Sequence, residues 1–227
     1  MKKIYKILIV FLFLTHPLPL NAHVKHYEDL KSIEFDIYRN NKNIGKHIFS
    51  FNKSGDQISV DGEISFIIKK LGVTLYKYHV KGTEFYEDGK LIKFNSKTLQ
   101  NKKNKYVNLK LENDEFIING SSFKGKVPSN FILGTWWNHS IVKAKAQISA
   151  VSGRIIKQKV TFLGKENLII DGKNYKALHF NFSSTDKSLK KDKKLNTDVW
   201  YEEETLYWIK ASFDKKGKWE YKLVKME

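Results

Sequence analysis

The sequence contains no cysteine. Disulfide staples, thiolate metal sites and cysteine nucleophiles are excluded together. Proline is scarce, with three in 227 residues, and two of them, Pro17 and Pro19, fall in the first 22. Arginine occurs only as Arg39 and Arg154, although lysine and arginine together number 41. Bidentate phosphate recognition favours the guanidinium fork, so nucleic acid is not an expected partner despite the formal charge of +17. There is no His-Glu-x-x-His, no Gly-rich phosphate loop and no Gly-x-Ser-x-Gly elbow. His23 and His26, in "HVKH", are the only closely spaced histidines ahead of an otherwise scattered set. Neither a metal site nor a cofactor is expected.

The single long apolar run is "ILIVFLFL" at 7–14. Lys2, Lys3 and Lys6 precede it, and "THPLPLNA" follows, ending in the small residue Ala22. Basic, apolar and small-residue segments in that order read as a secretory signal peptide over 1–22. The run is shorter than the ~20 residues a spanning helix needs. Cleavage is expected after Ala22, with a periplasmic protein beginning at His23 and no later transmembrane segment. Removing Lys2, Lys3 and Lys6 lowers the charge from +17 to +14. That excess suits solubility or peripheral contact with an anionic membrane surface.

What the chain has in abundance is alternation. In "QISVDGEISFIIKK" (57–70), Ile58, Val60, Ile64, Phe66 and Ile68 fall on one parity and polar residues on the other. This describes a strand with one wet face. The same period recurs at Ile33, Phe35, Ile37; at Tyr76, Tyr78, Val80; at Val107, Leu109, Leu111; at Ile156, Val160, Phe162; at Leu178, Phe180, Phe182; and at Trp219, Tyr221, Leu223. Turn signals separate the runs, among them Asp-Gly at 88–89 and 171–172, which suit tight hairpins. The expectation is an all-β domain over 23–227. It would be a curved, mostly antiparallel meander or open barrel, lipocalin-like or lipoprotein-carrier-like in general architecture. About a dozen strands are predicted, with 57–70 and 73–87 unusually long. "EFYEDGKLIKF" (84–94) echoes "VWYEEETLYWI" (199–209), which raises pseudo-halves 23–126 and 150–227 joined by 127–149. Two ordinary amphipathic hairpins explain the echo as well.

Two segments break the period. "STDKSLKKDKKLNT" (184–197) is a charged, solvated connection. "VPSNFILGTWWNHS" (127–140) opens the other break, an irregular plug or a short helix started at Pro128 and stopped at Gly134. Aromatic residues make up 14% of the chain, and two of its five tryptophans are adjacent here. Adjacent residues cannot both face inward on a strand. Trp136, Trp137, Asn138 and His139, with Trp200 and Tyr201 from "DVWYEE", are the candidate ligand-binding residues. Within them Trp137 reads as an anchor and Asn138 as a turn bonder, while the direction of Trp136 decides between core closure and a ligand gate. No catalytic set emerges: His139 and His179 have no serine–carboxylate partners that spacing can name.

"FDIYRNNKNIGKHIFSF", "LYKYHVKGTEFYEDGKLIKFNSKTLQNKKNKYV", "TWWN…SGRI" and "DVWYEE" resemble, in order, the landmarks of an uncharacterised family of exported bacterial β-rich proteins. That family is described only as a domain of unknown function. The resemblance implies an exported single β-domain and no established activity. The family landmark resembles Pro-Thr-Ser-His-Trp-Asn; here Trp137 and Asn138 match its end, Trp136 replaces the histidine and the proline is missing. A histidine-dependent activity therefore does not carry over. The function expected from these readings is binding of a lipid, acyl chain or other envelope amphiphile in a concave sheet. The alternatives are an envelope scaffold contacting another protein, or a hydrolase of envelope esters or glycans.

Overall fold

The computed structural model describes Tyr27 and residues 29–227. The predicted signal peptide and the pair His23 and His26 lie outside the described residues. Alternation becomes strand wherever it was read. Fifteen strands, more than the dozen expected, run β1 Ser32–Arg39, β2 Lys42–Ser54, β3 Gln57–Lys70, β4 Val73–Glu87, β5 Lys90–Gln100, β6 Lys103–Glu112, β7 Glu115–Gly120 and β8 Lys124–Pro128. They continue as β9 Ile132–Leu133, β10 Ala146–Ile148, β11 Ile155–Ile170, β12 Lys173–Ser184, β13 Asn196–Glu202, β14 Trp208–Asp214 and β15 Lys218–Met226. The bounds of β3 and β4 coincide with the two long periodic runs. Asn and Asp occupy the positive-φ turn positions at 40, 41, 88, 101, 113, 114 and 171, residues that tolerate left-handed backbone in tight hairpins.

All fifteen strands lie in one curved sheet, in the order β8 to β1, then β15 down to β9. The first and last strands pair at its centre, Ile37 opposite Tyr221. The two half-meanders spread from that pair and curl toward each other. Their outer strands, β8 and β9, are joined by residues 129–131 alone yet do not pair with each other. The barrel is closed by the chain and left open by the hydrogen bonds. Every pairing is antiparallel except that of β9 with β10.

The seam also corrects the helix placement. Pro128 ends β8 and no helix spans 128–134; the only regular turn of the segment is a 3-10 turn at His139–Lys143. Proline has no N–H for a neighbouring strand, so it stops pairing at an edge. Asn138 Oδ1 then accepts the Ser140 N–H at 3.0 Å and starts the turn ten residues later.

Because consecutive hairpins alternate, their connections fall at opposite ends of the barrel. One end carries 40–41, 71–72, 101–102, 121–123, 149–154, 185–195 and 215–217. Hydrogen bonds tie these together: Ser122 N donates to Ser152 O at 2.8 Å and Arg154 Nη1 to Lys193 O at 3.2 Å. Their cations are Lys102, Arg154, five lysines in 185–195, Lys215 and Lys216, against the acids Asp186 and Asp192. The other end carries 55–56, 88–89, 113–114, 129–131, 171–172 and 203–207. Those connections hold Asp56, Asp88, Asp114, Asp171, Glu203 and Glu204, and neither lysine nor arginine. The barrel is electrically polar, basic at one mouth and acidic at the other.

Candidate functional site

The segment 134–151 does not cross the outside of the barrel; it enters it. Side chains from both half-meanders hold it there. Gln158 of β11 donates to the carbonyls of Ile141 (3.2 Å) and Ala144 (3.0 Å) and accepts from Gln147 at 2.5 Å. Tyr201 of β13 donates its hydroxyl to the Trp136 carbonyl at 2.9 Å. From β4, Glu84 accepts from Trp137 Nε1 at 2.8 Å and from Tyr86 Oη at 2.5 Å. Ser96 Oγ of β5 donates to the Ala150 carbonyl at 2.6 Å. The plug is therefore part of the core, and Leu133 and Ile148 pack with Phe94, Val107, Leu109 and Phe116 of the opposite wall.

At the centre of this segment the two tryptophans part. Trp137 N–H bonds back to the Thr135 carbonyl at 2.9 Å, a three-residue turn about Trp136, whose φ is +63°. Left-handed backbone at a bulky residue costs about 1–3 kcal/mol and persists only where the surroundings impose it. The result is two rings aimed apart. Trp137 is fully buried, edge-on to Tyr27, Phe51 and Tyr86. Trp136 turns the other way, against Trp208 (5.6 Å) and Tyr221 (5.9 Å), and its Nε1 is buried with no partner.

Trp136 lines an internal cavity of about 260 Å³. Its wall on β4 is Tyr78, Val80, Gly82 and Glu84, successive inward positions. At about 3.3 Å per residue, the stretch of β4 from Tyr78 to Glu84 is roughly 20 Å of strand. Gly82 and its cross-strand partner Gly62 leave the room, since a Cβ on Gly82 would meet the Phe94 ring at 3.0 Å. Phe49, Ile64, Phe94 and Ile156 supply apolar wall, while Val151 and Leu195, from connections at the basic mouth, supply its outer end.

Besides Tyr78 and Tyr221, a histidine and a carboxylic acid line this cavity. His47, on the inward parity of β2 with Phe49 and Phe51, is boxed by Phe35, Phe49, Trp208 and Tyr221, and its Nδ1 has no partner. Burial holds its imidazole down to about 3, so it is neutral. Glu84 forms the far end. Burial pushes its carboxyl up to about 7 against the pull of the Tyr86 and Trp137 hydrogen bonds. Both residues were missed in the sequence, although each sits on the apolar parity of an alternating run.

The remaining sequence candidates divide. Asn138 and His139 are buried beside Trp137, His139 edge-on to Tyr201 at 4.7 Å, and neither lines this cavity. Asn138 lines a second cavity of about 390 Å³ at the acidic mouth, with Tyr86, Phe116 and Leu133. The Glu84–Tyr86–Trp137 cluster separates the two spaces. Trp200 points to the outer face, as strand alternation requires of the neighbour of inward Tyr201, yet it is buried there, only 6% exposed. It stacks on His179 at 4.1 Å and donates to Glu166 at 3.1 Å. His179 Nδ1 is 2.6 Å from Glu166 and Nε2 is 3.6 Å from Asp198, so both ring nitrogens face carboxylates. No helix of the described residues is long and apolar enough to cross a membrane.

Residues 35–224 match the family model described as a domain of unknown function, DUF6134. No curated protein matches the chain. Among solved structures, the chain is similar to the "Beta-barrel-like Protein of Domain of Unknown Function DUF1849 from Brucella abortus". The two share 15% identity over 87% of this chain and 97% of that one, with a TM-score of 0.60. That likeness is one of fold. A DUF1329 family protein from Desulfovibrio piger matches at 11% identity over 91% and 89% of the two chains, with a TM-score of 0.26.

Proposed function

The chain belongs to the DUF6134 family of unknown function, and we propose that it binds a single-chain amphiphile of the bacterial envelope inside the open barrel. One observation carries the reading: a largely apolar cavity of about 260 Å³ is walled by two rings with buried, unpartnered polar atoms, Trp136 Nε1 and His47 Nδ1. Both rings pack on Trp208 and Tyr221, so the two atoms lie in one region of the wall. Buried polar atoms are nearly always satisfied. An indole N–H offered inside a largely apolar cavity calls for an acceptor oxygen on an otherwise greasy molecule. An acyl chain with a carboxyl, ester or hydroxyl group meets both demands, whereas a flat polyaromatic or a sugar meets only one. The amino-terminal secretory pattern would deliver the protein to the periplasm, where such molecules move between membranes.

The two alternatives draw less support. Strand addition by a partner protein favours long, flat, open edges, and β8 is five residues long with Lys124, Lys126 and Pro128 on it. Hydrolysis needs a base facing a hydroxyl in a cleft, and His179 lies under Trp200 between two carboxylates.

A dansylated undecanoic acid is the test probe. Its emission should rise saturably at one probe per chain and fall when palmitate is added. Val80→Phe, which extends an inward side chain into the cavity, should weaken binding about tenfold or more while leaving the thermal midpoint within a few degrees. Absence of saturable binding by the unaltered protein, or equal binding by Val80→Phe, would overturn the assignment.

A further inference from the structure

The β3–β4 hairpin, the longest pair in the first half of the sheet, ends in Leu71-Gly72 at the basic mouth. Leu71 has φ +49° and is 95% exposed. Most other turns place Asn, Asp or Gly at left-handed positions, with Leu206 and Lys216 as exceptions; this one puts a leucine there, strained and bare. Val73 and Leu75 are also exposed, and Ile67 partly so, on the outer face of the same hairpin. Its inner face is covered differently, by Phe66 stacked on Tyr76 and Tyr78. Core packing therefore explains the inner residues and leaves the outer ones without a role. Lys69, Lys70 and Lys77 flank the apolar tip, and 67–77 contains no acidic residue.

The rest of that mouth has the same sign. Lys105 and Lys215 are held below the ordinary lysine range, first by burial and then by neighbouring cations, Lys193 foremost for each and Arg154 among the others. Cations from β6, the 149–154 turn, the 185–195 connection and the β14–β15 turn thus crowd one another around a single opening. Asp186 and Asp192 are outnumbered there, and an excess of like charge held together is relieved by an anionic surface. An apolar finger ringed by lysines at such a mouth fits a surface that is anionic outside and hydrocarbon beneath.

We propose that the basic mouth docks on an anionic lipid bilayer, with Leu71, Val73 and Leu75 inserted at the headgroup boundary and the surrounding lysines against lipid phosphates. Charge complementarity selects this occupant over a second copy of the chain, which would bring a basic mouth against a basic mouth. Docked in this way, the end of the cavity formed by Val151 and Leu195 faces the bilayer. A molecule could pass between membrane and barrel without crossing the acidic mouth.

Co-sedimentation with vesicles tests the proposal without reference to any bound ligand, so its failure is separate from failure of the cavity reading. The unaltered protein should pellet with vesicles of phosphatidylcholine containing one-third phosphatidylglycerol and stay in solution with phosphatidylcholine alone. Leu71→Asn relieves the strained turn, so the fold is retained or strengthened. Combined with Val73→Thr it should cut vesicle binding about tenfold, and high salt should release the protein. Equal binding by the double variant, equal binding to both vesicle types, or no vesicle binding at all would each overturn the proposal. So would a dimer, lost in Leu71→Asn, in a protein that ignores vesicles.

Discussion

Trp137→Ala is expected to remove about 5 kcal/mol of unfolding free energy, a large share of the about 5–15 kcal/mol that holds a native protein together. The indole is fully buried and contacts Tyr27, Phe51 and Tyr86. Truncating a buried tryptophan costs about 3–5 kcal/mol in lost burial and residual cavity. The lost Nε1–H bond to Glu84 adds about 1–3 kcal/mol, because the carboxyl stays buried with one donor fewer. Trp137→Phe separates the two contributions: it keeps most of the ring and should lose only the smaller amount. Urea unfolding followed by far-UV circular dichroism measures both. Equal losses for Ala and Phe would assign the effect to the hydrogen bond; a near-silent Phe variant would assign it to packing.

The second large effect is a pair of opposed pH dependences. Glu84 has its folded carboxyl raised from 4.5 to about 7. Between those values the folded state keeps a proton the unfolded state has released, so stability falls as pH rises, by about 3 kcal/mol across the window. His47 has its folded imidazole lowered from 6.5 to about 3. Below 6.5 the unfolded state takes up a proton that the folded state refuses, so stability falls as pH drops, by up to about 5 kcal/mol in total. From pH 6.5 down to 4.5 the two nearly cancel, and the unaltered protein should show a flat unfolding midpoint there. Each single variant exposes the other slope. Glu84→Gln should lose about 3 kcal/mol on acidification over that range, and His47→Leu should gain a similar amount. A flat profile in both variants would mean that neither group is held as buried as the structure places it. The window stops at 4.5 because Glu63, Glu166 and Glu202, whose carboxyls are held below their ordinary value, begin to destabilise the fold in more acid solution.

These two residues also mark where reading the sequence stopped short. "GKHIFSF" puts His47 on the parity of Phe49 and Phe51, and "VKGTEFY" puts Glu84 on that of Val80 and Tyr86. The parity was legible, yet a histidine or glutamate in an alternating run reads first as part of the wet face. Trp200 and Tyr201 carried the opposite lesson. Grouped as one candidate, they are adjacent on a strand and so point to opposite faces, Trp200 buried under its outer-face neighbours and Tyr201 in the barrel core.

Local physics determined the rest of what the sequence revealed. Alternation with period two specifies strand and buried face within a few residues, and Asn, Asp and Gly specify the turns, because both signals depend only on neighbours. Strand bounds at 57–70 and 73–87, and the break at the seam, follow from that. The pairing of β1 with β15 joins segments nearly two hundred residues apart, and no local signal encodes it. Only that closure curls the half-meanders together, seats 134–151 inside the barrel and turns Trp136 into the cavity. Only the resulting ring of hairpins gathers lysines scattered from 102 to 216 at one mouth and leaves acids at the other. Trp136 and Trp137 were visible as an anomaly from the start. Their separation into a cavity wall and a core anchor was decided by the strained turn that the folded barrel imposes on them.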